Sequence, residues 1–131
     1  MIKKIDLPKI IDARGNLSFF ENTNQIPFDI KRTYWIYDVP GGELRGSHAF
    51  KKSHEFIVAL SGSFDVILNN GTTELKYSLN RSYTGLYIPN LVWRKLENFS
   101  TNSLALVASN SAYEESDYIR DFEEFKNIKK N

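Results

Sequence analysis

Gly46-Ser47-His48-Ala49-Phe50-Lys51-Lys52-Ser53-His54-Glu55, followed by Gly62, is the stretch that decides the fold. It lies among short runs of β-forming residues, each closed by a turn. Behind it come His54–Leu60 and Ser63–Leu68, parted by Ser61-Gly62. Then comes Asn69-Asn70-Gly71, a strong hairpin signal because Asn and Gly tolerate positive φ. Thr72–Leu79, Thr84–Ile88, Leu91–Glu97 and Ser103–Ser109 follow, again with turns between them. Ahead of it, Leu17–Phe20 follows Arg14-Gly15-Asn16, and Arg32–Asp38 is a β-branched and aromatic run ended by Pro40-Gly41-Gly42. Short strands separated by frequent turns predict an all-β sandwich or barrel. From Ser116 onward the period changes. Tyr118, Ile119, Phe122, Phe125 and Ile128 recur at helical spacing, which predicts a C-terminal amphipathic helix with Ser116 as N-cap.

Bulk properties bound the function. The chain has 131 residues, 41% hydrophobic and 25% charged, enough for one domain over 1–131 with a real core. Net charge is +1, from 17 Lys+Arg and 16 Asp+Glu, so nothing favours nucleic acid or an anionic membrane as partner. There is no cysteine, which excludes disulfides, thiolate metal sites and thiol nucleophiles. No run approaches the ~20 apolar residues of a membrane helix, and Met1–Asp6 does not read as a signal peptide. A cytoplasmic protein is expected.

The opening stretch resembles the first motif of the cupins, His-x-His, a spacer, Glu, then Gly. His48, Glu55 and Gly62 fall in place, and Phe50 stands where the second His belongs. Pro89-Asn90-Leu91-Val92-Trp93-Arg94 and Asn98 resemble the second motif, with Arg94 at its metal-binding His. The resemblance implies a cupin, a double-stranded β-helix or jelly-roll barrel, with the C-terminal α-helix appended. Cupins that bind metal hold it with three His and one Glu. Only His48 and Glu55 remain here, so neither metal nor other cofactor is expected, and the barrel mouth is read as holding an organic ligand.

Nearly the whole chain is similar to the TDP-4-keto-6-deoxyglucose 3,4-ketoisomerases, the WxcM-like cupin sugar isomerases. The matching stretches are Ile11-Asp12-x-Arg14-Gly15-x-Leu17 and Ile26-Pro27-Phe28-x-Ile30-Lys31-Arg32-x-Tyr34, then Arg45-Gly46-x-His48-Ala49-x-Lys51-Lys52, Val92-Trp93 and Ser116-Asp117-Tyr118-Ile119-Arg120. The resemblance implies a metal-independent homodimer that moves a ketone from C4 to C3 of a TDP-linked 4-keto-6-deoxy sugar, in deoxyaminosugar and polysaccharide biosynthesis. Tyr34-Trp35-Ile36-Tyr37 supports the dimer independently, since a strand apolar on both faces needs cover on each.

Such a shift is a tautomerisation through an enediol. It needs a base at C3, a proton for C4 and stabilisation of the enediolate. His48 is the candidate base, the alternative being a hydrogen-bonded core histidine; an imidazole with reference pKa about 6.5 suits the task. His54 should face away from Glu55 by strand alternation. Tyr34 is read as a proton relay or sugar ligand, or as one more strand aromatic. Arg94 is expected to face the barrel and meet the sugar or its enediolate. Arg14, Arg32, Arg45 and Lys51 are candidates for the diphosphate, because guanidinium and ammonium groups bind phosphate oxygens, and at least one of them is expected to be a surface charge. Glu55 is expected to accept a hydrogen bond from His48 or a sugar hydroxyl. Arg120 is placed on the helix as a salt-bridge former. Phe50 should dry the site and lower the His48 pKa. Because Phe50 removes a polar group, a sugar-nucleotide-binding cupin without turnover, or with altered specificity, is the competing reading. A metal-dependent cupin and a 3,5-epimerase fit less well.

Overall fold

The computed structural model describes residues 1–130. Period-2 alternation builds two facing sheets. The first contains β1 (Lys3–Asp6), β4 (Arg32–Tyr37), β6 (Glu55–Ser61), β9 (Thr84–Ile88) and β11 (Leu104–Ser109), in the order β1-β9-β6-β11-β4. The second contains β5 (Arg45–Phe50), β7 (Phe64–Asn69), β8 (Glu74–Leu79), β10 (Trp93–Glu97) and β12 (Tyr118–Ile119), in the order β12-β5-β10-β7-β8. A small hairpin of β2 (Lys9–Ile10) and β3 (Leu17–Ser18) stands apart from both. Strands consecutive in sequence often lie in opposite sheets, as in a jelly roll.

Alternation assigns each side chain to a face. Ile57 and Ala59 of β6, Ala105 and Val107 of β11, and Val66 and Leu68 of β7 point between the sheets and form the main core with Phe64, Leu86 and Leu96. Phe56 and Val58 point outward from the first sheet and are covered by Leu7, Phe20, Ile26 and Phe28 of the N-terminal segment. That cover stops short. Trp35 and Tyr37 on edge strand β4, and Leu60 on β6, remain 58%, 61% and 42% exposed.

Most strands fall within a residue or two of the sequence expectation. The C-terminus does not. Glu115–Asp117 is a single 3-10 turn, Tyr118–Ile119 pairs with Phe50 and Ala49 of β5, and helix α1 spans Phe122–Lys130. The N-cap is Asp121, not Ser116, because the Asp121 carboxylate accepts the Glu124 N–H at 3.1 Å. Edge-strand hydrogen bonds to β5 outcompete the helical pattern at Tyr118 and Ile119. Arg120 therefore lies between strand and helix rather than on the helix. Phe125 is fully buried against Ile119 and Ala49 and docks α1 on the second sheet, with Trp93 edge-on to Phe122 and tilted against Phe125. Among the described residues, no helix is long and apolar enough to cross a membrane.

Candidate active site

A cleft of about 540 Å³ opens between β4 and β5 at the barrel mouth, in the size range of small-molecule sites. Strand register converges its polar groups. His48 on β5 is paired directly with Arg94 on β10, so both side chains enter from the same face. Past Arg94 the ladder slips, and Leu96 pairs with Arg45. This bulge is made by Gly46, whose φ of +69° suits a residue without Cβ. Glu55 enters from β6 and Tyr34 from β4. At the far end of β6, Gly62 has φ +67°, and a Cβ there would stand 2.8 Å from the Ser103 backbone, which accounts for that motif position.

Glu55 organises the floor. It is 1% exposed and accepts Arg94 Nη1 at 2.6 Å and Tyr34 Oη at 2.9 Å, with Arg32 Nη2 at 3.7 Å. Burial pushes its carboxyl upward, while Arg94, Tyr34 and Arg32 pull the other way. Glu55 does not bond His48, contrary to the expectation. It acts through Arg94 and Tyr34, which makes it a positioning group. Tyr34 lies far above its usual pKa, first because it is buried and then because of the Glu55 charge, so its proton is committed to Glu55. Two guanidinium groups face one carboxylate, leaving a net positive charge beneath the cleft. Arg94 Nε and Nη2, Arg32 Nε and His48 Nε2 are buried with no hydrogen-bond partner among the described residues. Such orphans are costly unless a ligand satisfies them.

The His48 pKa is lowered to about 3, first by burial and then by Arg94, Arg120 and Arg32. At neutral pH the imidazole is uncharged. Phe50 is fully buried beneath the cleft rather than lining it, edge-on to His48 and with the Arg94 guanidinium 4.9 Å from its ring centroid. Arg45 lines the cleft. Lys51 and Arg14 do not. Lys51 lies in the exposed turn after β5, and Arg14 is 90% exposed near the tip of the β2–β3 hairpin, paired with Asp12 at 2.8 Å. His54 points to the outer face, with Nδ1 2.6 Å from Tyr87 Oη. Among the lining residues not read as site residues in the sequence are Tyr118 and Arg120, which helical spacing had assigned to a different element. No group of three or more His, Cys, Asp or Glu residues that could hold a metal ion occurs among the described residues.

A jelly-roll barrel whose mouth pairs one imidazole with a buried Arg–Glu–Arg cluster defines a cupin-type protein shaped for an organic anion. The chain belongs to the family described as "FdtA: WxcM-like, C-terminal", whose model matches residues 1–130. It is 42% identical over 124 residues to the TDP-4-oxo-6-deoxy-alpha-D-glucose-3,4-oxoisomerase of Aneurinibacillus thermoaerophilus, covering 95% of this chain and 89% of the relative. A 3,4-ketoisomerase from Helicobacter canadensis superposes with TM-score 0.97 at 37% identity, covering 99% of this chain and 98% of that one. The 3,4-ketoisomerase QdtA from Thermoanaerobacterium thermosaccharolyticum, as a histidine-to-asparagine mutant in complex with TDP-4-keto-6-deoxyglucose, superposes with TM-score 0.96 at 36% identity, over 98% and 94% of the two chains.

Proposed function

We propose that this protein moves the ketone of a TDP-4-keto-6-deoxyhexose from C4 to C3 through an enediol, with His48 as the base. The observation that carries the reading is the cross-strand pair of His48 and Arg94, both lining one cleft and both holding buried side-chain nitrogens without a partner among the described residues. The neutral His48 imidazole takes the C3 proton, and the electron pair moves through C3–C4 onto the C4 oxygen. Arg94 Nε and Nη2 meet the resulting enediolate, adding hydrogen bonds made only as charge develops. The hydroxyl proton passes from O3 to O4, directly or through a bound water, and the imidazolium returns its proton to C4. Atoms and charge balance without a redox partner. A diphosphate held by Arg45 at the mouth returns negative charge to the cleft and raises His48 towards a useful base, since arginines are among the groups that depress it.

The test is incubation with TDP-4-keto-6-deoxyglucose in deuterated water. The expected result is a 3-keto product carrying deuterium at C4. Binding without exchange or product would favour a non-catalytic sugar-nucleotide-binding protein.

We further propose a homodimer through the bare part of the first sheet. Trp35, Tyr37, Leu60, Leu104 and Leu106 extend the covered apolar surface of Phe56 and Val58 with nothing over them. A second copy of the same face supplies that cover isologously. Light scattering should give a dimer, and Trp35→Ser together with Tyr37→Ser should give monomer.

A further inference from the structure

A base histidine is commonly oriented by a hydrogen bond from its second nitrogen to a third group. His48 is held differently. No protein hydrogen bond to its ring occurs among the described residues, and the ring packs against two aromatic side chains, Phe50 at 4.8 Å and Tyr118 at 5.0 Å between centroids. Those two rings also meet each other edge-on at 4.7 Å, so the three form one closed cluster. Phe50 is on the same strand as His48 and cannot leave it. Tyr118 comes from the short edge strand β12, joined to β5 through Phe50 and Ala49.

What holds that strand is Asp117. Its carboxylate is 4% exposed and accepts the Lys52 N–H at 2.8 Å and the Ser53 hydroxyl. Its carbonyl accepts the Lys51 N–H at 2.8 Å. The nearby Lys52 ammonium is engaged elsewhere, with Glu114 at 3.0 Å. A buried carboxylate without a close ion pair is costly unless its hydrogen bonds hold, so this latch ties the C-terminal segment to the turn after β5.

We propose that Tyr118 is a positioning residue for His48, clamped against the imidazole by the Asp117 latch, which fixes the orientation of the ring and shields it from water. The inference rests on the reading of His48 as base. The charged groups reaching His48 are Arg94 from β10, Arg32 from β4 and Arg120 just beyond β12, while Glu55, Tyr34 and Arg45 line the same cleft. Arg120 itself stacks on Tyr118 at 4.3 Å and pairs with Glu115, so removing the ring loosens one cation as well.

The chain has two histidines, so imidazole resonances of the free protein can be assigned with a His54→Gln variant and titrated by NMR. Tyr118→Phe keeps the ring and is expected to hold the His48 pKa near its parental value and to lose less kcat than Tyr118→Ala. Tyr118→Ala is expected to raise the His48 pKa by roughly one unit or more, with His54 unmoved, and to lower kcat roughly tenfold or more, beyond any rise in KM. Asp117→Asn removes no cleft side chain but loosens the latch on Tyr118, and is expected to shift His48 in the same direction by less, which also serves if Tyr118→Ala does not fold. A parental His48 titration in the folded variants would overturn the proposal. So would a loss in Tyr118→Phe as large as in Tyr118→Ala, because the hydroxyl rather than the ring would then matter. The titration needs no substrate, so it judges the clamp even if the parent protein fails to isomerise, which would sink the functional reading alone.

Discussion

His48 and His54 lie on the two sides of one turn and have opposite surroundings. His54 faces outward, stacked on Tyr87 and hydrogen-bonded to its hydroxyl, with a pKa lowered first by burial and then by the chain's N-terminus. His48 faces inward, packed against two aromatic rings and overlooked by three arginines. The first is a satisfied surface histidine. The second is a neutral imidazole with a free nitrogen in a cleft. A histidine's role here comes from the face its strand presents, and from whether its nitrogens are already used.

The largest expected effect is on turnover. His48→Asn should fold and lose activity by about 10²–10⁴, measured as 3-keto product formed per enzyme. Near-parental turnover would remove His48 from the chemistry. Arg94→Ala follows, with an expected loss of about 10²–10³ in kcat, and it should also lower the thermal midpoint because Glu55 keeps a buried charge with one guanidinium fewer. If Arg94→Ala turned over like the parent, the enediolate role of Arg94 would be wrong.

A smaller effect sharpens the contrast through pH. Both the folded and the unfolded chain hold His48 neutral above its ordinary value near 6.5. Below that, the unfolded chain takes up a proton that the folded one refuses down to about 3, so stability should fall between pH 6.5 and about pH 3. His48→Asn should make chemical-denaturation stability less steep in that window. An equal slope in parent and variant would mean that His48 titrates normally.

Phe50→His should still fold and bind the TDP-sugar and keep activity above background, since the fully buried ring supports Arg94 from below rather than touching the cleft. The smallest effect belongs to the outer histidine. His54→Gln should change kcat by less than about twofold, the change expected away from the chemistry, and a tenfold loss would break the comparison.

Strand alternation and turn residues were legible in the chain itself, because they are local. They predicted that His54 faces away from Glu55, and its side chain lies so. Asn70-Gly71 does join β7 and β8, with Gly71 at φ +106°. Helical spacing at Tyr118 and Ile119 misled, because a two-residue edge strand carries almost no periodic signal and exists only where β5 offers its edge. Lys51 shares a stretch with the cleft residues Arg45 and His48, and Arg14 sits in a stretch similar to the family's, yet the turn after β5 and the free hairpin carry them away from the cleft.

Short strands, frequent turns and a period of two are enough to read an all-β barrel from neighbouring residues. The inward places of His48, Glu55 and Arg94, and the exchange of two imidazoles for Phe50 and Arg94, came with the resemblance of those residues to the cupin motifs. Only the tertiary structure decided that Glu55 binds Arg94 and Tyr34 instead of His48, and that Tyr118 closes on the imidazole. Those contacts join strands far apart in the chain, and their partners are chosen by the packing of two sheets in a low-dielectric interior, where a buried carboxylate takes the nearest guanidinium.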